Sequence, residues 1–184
     1  MVMETLIQSK GESPLKLASK SGLVDGYGRV IRKLRVSLLD ACNFRCFYCM
    51  PEEMHFADKA SYLSADEIYA ICKDMVDSGI EQIRVTGGEP TLRQDFPEVM
   101  KRLSELKIQK FGLTSNAFLL AQHLPLLAEL NCQHINISLD SLQTDKFNRM
   151  THSKTFETVY ATILKARDMG FKVKVNTVLI GGWN

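Results

Sequence analysis

From Leu34 onward, short apolar runs alternate with amphipathic stretches, and that alternation leaves few folds open. Leu34 to Leu39 reads as a first strand, Ile80 to Val85 as a second and Lys110 to Thr114 as a third. His134 to Leu139 and Phe171 to Ile180 follow as the fourth and fifth. Between them lie helical patterns. Ser64, with Glu67 three residues on, forms a capping box, and Ile68, Ile71, Cys72, Met75 and Val76 follow at helical spacing up to Gly79. Phe96, Val99, Met100 and Leu103 mark a second helix, Leu119 to Leu130 a third. A stripe of Phe156, Val159, Tyr160, Ile163 and Leu164, closed by Gly170, marks a fourth. Strands alternating with helices predict a parallel α/β architecture. A closed eight-unit barrel takes about 250 residues. A chain of 184 therefore predicts an open sheet or a partial barrel. Residues 1–33 are polar and irregular and read as an N-terminal arm, leaving 34–184 as the core domain.

The polar and glycine-rich clusters follow strand ends. They are the loop from Asp40 to Tyr62, the turn Gly87-Gly88-Glu89, the stretch Thr114-Ser115-Asn116, and Ser138 with Asp140. In parallel α/β folds the C-terminal edge of the sheet is where ligands bind. Clusters scattered in sequence are thus expected to converge in space.

The first of these loops holds Cys42, Cys46 and Cys49. Thiolates are the usual ligands of iron–sulfur clusters. Three on one short loop can reach three irons of a cubane and leave the fourth open. A structural zinc site would want four ligands, with His55 the nearest candidate and no second cysteine pair following. An odd count of five cysteines argues against a disulfide framework. Cys72 and Cys132 read as small core or boundary residues.

The spacing Cys-xxx-Cys-x-aromatic-Cys resembles the signature of the radical S-adenosylmethionine superfamily. The resemblance implies a [4Fe–4S] cluster on Cys42, Cys46 and Cys49, with S-adenosylmethionine on the open iron. It implies electron transfer that cleaves the sulfonium bond to a 5′-deoxyadenosyl radical, which abstracts hydrogen from substrate. It places Tyr48, Gly88 and Ser138 beside the cofactor, Gly88 because a side chain there would block close approach. It also implies a (βα) barrel of that family's type, here a partial one with five strands.

Further segments are similar to the GTP 3′,8-cyclase family, which opens molybdenum-cofactor biosynthesis. They include Leu34-Arg35-Val36-Ser37, Cys49-Met50-Pro51, Ile83 through Pro90, Ile135 through Asp140, and Val173-Lys174-Val175-Asn176. That resemblance implies GTP as substrate, contacted by Arg35, Arg84, Thr114 and Lys174. Arginine forks and a lysine ammonium suit a triphosphate. Lys172 alternates with Lys174 on one strand face, and the choice of Lys174 rests on the resemblance. Thr114-Ser115-Asn116-Ala117 and Pro90-Thr91-Leu92-Arg93 depart from that family's usual Thr-Thr-Asn-Gly and Pro-Leu-Leu-Arg. The family also has a sixth strand and a C-terminal region with a second cysteine triad, neither of which this sequence contains. The expectation is a truncated cyclase-like enzyme that also needs an electron donor. The alternatives are a short radical enzyme with another substrate, or a non-catalytic module. Such a module would pair with a second chain supplying the missing half; a homodimer is a further expected partnership.

The net charge is +2, so no global field points to nucleic acid or a membrane surface. No apolar run reaches the roughly 20 residues a bilayer span needs. Residues 1–28 lack the apolar core of a secretory signal. The expected location is the cytoplasm, where thiols stay reduced.

Overall fold

The structure, a computed structural model, describes residues 22–51 and 53–184. Most of the expected N-terminal arm lies outside the described residues. Its last part is ordered into a hairpin of β1 (Leu23–Val24) and β2 (Val30–Ile31). Asp25 closes that hairpin. One carboxylate oxygen accepts from the backbone N–H groups of Tyr27 and Arg29, both at 2.9 Å, and the other accepts from Arg29 Nε at 2.7 Å. An aspartate bonding its own turn is a known local device, so the expected arm, residues 1–33, is corrected from 22 onward.

Five strands form one parallel sheet in the order β3 (Lys33–Ser37), β4 (Gln82–Thr86), β5 (Lys110–Ser115), β6 (His134–Ser138), β7 (Lys172–Asn176). Each strand pairs with the next in sequence, so the sheet winds steadily in one direction. This is the α/β partial barrel expected, and it is not closed. The helices are α1 (Ala65–Asp77), α2 (Phe96–Ser104), α3 (Leu124–Glu129), α4 (Thr144–Thr151) and α5 (Phe156–Asp168). The Ser64–Glu67 capping box at the start of α1 is present in both directions.

Three boundaries differ from expectation. The fifth strand ends at Asn176 and does not run on to Ile180. The third helix is split into a 3-10 turn at Leu120–Gln122 and α3, with Pro125 in its first turn. Proline has no N–H to donate and suits a helix start. The third difference is α4, absent from the expected four helices. Phe147 and Met150 are its only apolar residues, too few to show a helical stripe, yet both are buried.

The strands bury one face. Ile83, Val85, Leu113, Ile135 and Ile137 are 0–1% exposed and pack with Met100, Leu103, Leu120, Leu127 and Val159 from the helical layer. Burying each such side chain contributes about 1.5–3 kcal/mol. Alternation then turns Arg35, Arg84, His134, Lys172 and Lys174 to the opposite face. Among the described residues no helix is long and apolar enough to cross a membrane.

Candidate radical-cofactor site

The cysteine loop, residues 40–62, has little regular structure, so each of its anchors is a side chain or a single backbone bond. Asp40 pins its base: Tyr62 Oη donates to one carboxylate oxygen at 2.5 Å and the Ala57 N–H to the other at 2.8 Å. Those two bonds hold the Asp40 carboxyl below its ordinary range. Cys46 and Cys49 are joined by a turn, with the Cys49 N–H donating to the Cys46 carbonyl at 2.8 Å. Arg45 Nη1 donates to the carbonyls of Cys42 and Phe44, at 2.5 and 2.9 Å. The unexpected helix α4 contributes as well. Carbonyls in its last turn lack intrahelical partners; that of Thr151 accepts from the Arg45 N–H at 3.0 Å, and that of Met150 from the Phe47 N–H at 3.2 Å. Phe44 plugs the loop into the core, its ring 6.1 Å from that of Phe147 on α4.

The Gly-Gly turn after β4 closes on the same loop. The Gly88 N–H donates to the Leu39 carbonyl and the Glu89 N–H to that of Ala41, both at 2.8 Å. A Cβ on Gly88 would collide with the carbonyl oxygens of Ala41 and Asp40, the latter at 2.5 Å. Glycine is therefore required here by the cysteine loop itself, a reason the sequence could not reveal. Glu89 is fully buried. Burial pushes its carboxyl above the ordinary range, against the pull of four hydrogen bonds.

Ser138 stands at the end of β6, with Asp140 two residues beyond. Tyr48 Oη donates to Asp140 Oδ2 at 2.6 Å, tying the cysteine loop to that strand end. Burial, then this bond, raises the Tyr48 phenol well above its ordinary value, so it remains a neutral donor. Asp140 also receives the Val178 N–H at 3.0 Å, and Asn184 Nδ2 donates to its carbonyl at 2.7 Å. Phe47 stacks on Trp183 with centroids 3.9 Å apart. Cys42 and Cys46 are half-buried and Cys49 is exposed; none is in a disulfide. Burial pushes the Cys42 thiol up and the Cys46 thiol to about 12. Both shifts favour the neutral thiol, so binding of metal by these cysteines would release protons.

Among the described residues no three Cys, His, Asp or Glu side chains converge where a single metal ion could sit. A structural zinc site would want a fourth ligand, and His55, the nearest candidate in sequence, is exposed. A cubane makes a different demand, since each thiolate binds a different iron. The three sulfurs are near enough for the charges of Cys42 and Cys49 to raise the Cys46 thiol. The donor set thus fits a [4Fe–4S] cluster.

On the open face of the sheet, the N-terminal parts of the five strands form a basic cavity of about 470 Å³. Lys33, Arg35, Arg84, Lys110, His134, Lys172 and Lys174 line it, with no acidic residue among its lining. None of the ion pairs among the described residues involves Arg35, Arg84, Lys172 or Lys174. Gly112 makes room: a Cβ there would lie 2.6 Å from the His134 carbonyl and 3.4 Å from Arg84 Cζ. Arg84 Nη1 donates to the Leu113 carbonyl at 3.1 Å. Of the four residues expected to meet substrate, Arg35, Arg84 and Lys174 line the cavity. Thr114 lies outside that lining, two residues beyond Gly112 toward the rim. Lys172 and Lys174 both line it, so the cavity does not separate them.

The pattern of the Radical SAM superfamily matches residues 36–184, from the first long strand through the cysteine loop to the end of the chain. The chain belongs to the radical SAM superfamily. The cofactors of that superfamily are a [4Fe–4S] cluster and S-adenosylmethionine. Curated relatives are the GTP 3′,8-cyclases of Synechocystis sp. and Rhizobium leguminosarum bv. trifolii. The first is 45% identical over 166 residues, covering 90% of this chain and 51% of the relative. The second is 36% identical over 185 residues, covering 99% and 53%. The chain thus spans about half the length of the curated relatives it matches. Among solved structures, Streptococcus suis SuiB bound to precursor peptide SuiA superposes with a TM-score of 0.70 at 21% identity, over 80% of this chain and 33% of that one. Native anSMEcpe with bound AdoMet and Kp18Cys peptide gives 0.64 at 17%, over 78% and 42%. At such identities the likeness establishes the radical SAM fold.

Glu89, Asn116, Asp140 and α4 are the structural participants that the sequence left without a role. The first three stood inside recognised polar clusters. Helix α4 carried no signal beyond two isolated apolar residues.

Proposed function

We propose that this chain holds a [4Fe–4S] cluster on Cys42, Cys46 and Cys49, binds S-adenosylmethionine along Tyr48, Gly88 and Ser138, and presents GTP to it in the manner of a GTP 3′,8-cyclase, a lyase opening molybdenum-cofactor biosynthesis. One observation carries the proposal: the cysteine loop, the Gly-Gly turn and the β6 end meet on a single rim, and the same five strands carry a basic cavity with no carboxylate among its described lining residues. When bound, the cluster supplies the electron that cleaves S-adenosylmethionine, giving the radical that takes hydrogen from substrate. The chain's own residues bind and aim. Arg35, Arg84 and Lys174 hold the triphosphate, and Thr114 stands nearer the rim, where the reacting sugar would lie. Phe44 anchors the loop in the core, and Phe47 stacks on Trp183 beside it.

The chain spans half its cyclase relatives, so the complete cyclisation calls for the remainder of such a protein, within the same polypeptide or from another chain. Val175, Val178 and Leu179 beside the open β7 edge are exposed and apolar, which favours a covering surface there. The test is anaerobic reconstitution with iron and sulfide, followed by a reductant, S-adenosylmethionine and GTP. About four irons per chain and release of 5′-deoxyadenosine are expected, with GTP protecting the chain against thermal unfolding. Release of 5′-deoxyadenosine without any GTP binding would move the assignment to a radical enzyme with another substrate.

A further inference from the structure

Glu89 is a buried carboxylate that pairs with no cation among the described residues. Its Oε1 accepts from the Thr91 N–H at 3.1 Å, Thr91 Oγ1 at 2.5 Å and Ser115 Oγ at 2.8 Å, and its Oε2 accepts from the Asn116 N–H at 2.6 Å. No described ion pair includes it. Capping the short 3-10 turn at Pro90–Leu92 would need only the bonds to Thr91. Aspartate or serine makes such bonds with a shorter side chain. The glutamate reaches further, across to the end of β5.

What it grips there is Asn116. That residue is 8% exposed, and its side-chain amide is fixed from both ends. Its Oδ1 accepts from the Phe118 N–H at 3.0 Å. Its Nδ2 therefore faces the cysteine loop, donating to Asn43 Oδ1 at 2.8 Å and pointing at Cys42 Sγ at 3.7 Å. The backbone turns sharply after it, with Ala117 in the left-handed region at φ 67°. A backbone N–H held by a carboxylate, followed by such a turn, leaves the amide one orientation.

We propose that Glu89 is a positioning residue that acts through Asn116, holding the Asn116 amide as a hydrogen-bond donor to Cys42 Sγ and so setting the reduction potential of the cluster that Cys42 ligates. The proposal rests on the cluster assignment above. Hydrogen bonds to cluster sulfurs tune the potential. A donor stabilises the more electron-rich reduced state, so losing it drives the potential down. The Phe44 N–H, 3.5 Å from the same sulfur, is held by the loop's own backbone and does not depend on Glu89.

The experiment is a double-mutant cycle on the anaerobically reconstituted protein. Glu89→Gln, Asn116→Ala and the double variant are compared with the unsubstituted chain by iron content, EPR spectrum of the reduced cluster, midpoint potential and thermal unfolding. Glu89→Gln keeps the size but turns one carboxylate oxygen into an NH2, which in either amide orientation faces a backbone N–H, that of Thr91 or that of Asn116. Each single variant is expected to retain iron, to alter the EPR line shape and to move the midpoint potential to more negative values. The double variant should move it no further than Asn116→Ala alone. If Glu89→Gln does not fold, Ser115→Ala takes its place, and it should give a smaller shift of the same sign. An unchanged potential and spectrum with lowered thermal stability would make Glu89 a structural capping residue and overturn the proposal, as would additive shifts. Absence of any cluster from the unsubstituted protein would instead overturn the cluster assignment, and the proposal with it.

Discussion

The two faces of the sheet are built from the same strands and serve opposite ends. On β4, Ile83 and Val85 are sealed under helices, while Arg84 between them looks into an open basic cavity. On β6, Ile135 and Ile137 are fully buried, while His134 and Asn136 line the cavity. The outer face is held by apolar burial, which is non-directional and forgiving of exact partner. The inner face gathers cations that repel one another, which lowers stability until an anion arrives. Stability and ligand binding can therefore be altered separately, one residue apart. At the rim where the faces meet, neither rule holds alone, and hydrogen bonds between loops decide the geometry.

The sharpest break comes at the rim. Cys46→Ala should abolish iron retention after reconstitution, because two thiolates cannot hold the cluster against exchange. The unfolding midpoint of the iron-free chain should scarcely change, as checked by iron assay and circular dichroism. On the outer face, Ile135→Ala should cost about 2–5 kcal/mol of stability, read from urea unfolding with an unchanged m-value. On the inner face, Arg35→Ala should change stability by no more than about 0.5 kcal/mol, because its side chain is exposed. The same substitution should weaken GTP or tripolyphosphate binding by about tenfold or more, from a lost charged hydrogen bond of about 1.5–3 kcal/mol. Calorimetry at two salt concentrations would check it. If Arg35→Ala cost as much stability as Ile135→Ala, the two faces would not be separable.

The smallest effect expected is in pH. Burial, with the charges of Lys110, Lys172 and Arg84, holds His134 below its ordinary value. A base with a lowered folded pKa binds fewer protons folded than unfolded. Its contribution to stability is thus complete above the ordinary imidazole value of about 6.5 and is lost as pH falls below it. Unfolding midpoints measured from pH 7 down to 5 should fall less steeply in His134→Gln. A bound polyphosphate should flatten the slope of the unsubstituted protein, because it offsets the charge His134 would add.

Much of the scaffold was legible because its signals are local. The five strands follow from apolar runs, α1 from the Ser64–Glu67 box, and the cysteine loop from its spacing. Residues after each strand end were expected to converge, and hydrogen bonds join the cysteine loop to the Gly-Gly turn and, through Tyr48 and Asp140, to the segment after β6. The hairpin at Leu23–Ile31 could have been read from Asp25 and Gly28, which bracket its turn. Helix α4 could not, since six polar residues surround two apolar ones, and its burial depends on Phe44 and Phe156 arriving from elsewhere.

By itself, then, the sequence determined the strand–helix alternation, the thiol triad and the supply of cations on one strand face, because each is a matter of spacing along the chain. The tertiary structure alone decided that Gly88 is glycine for the sake of Ala41 and Asp40, that α4 lends its last carbonyls to the cysteine loop, and that Glu89 reaches Cys42 through Asn116. Those are contacts between segments that meet only when the sheet assembles. A hydrogen bond across 27 residues leaves no periodicity in the chain that makes it.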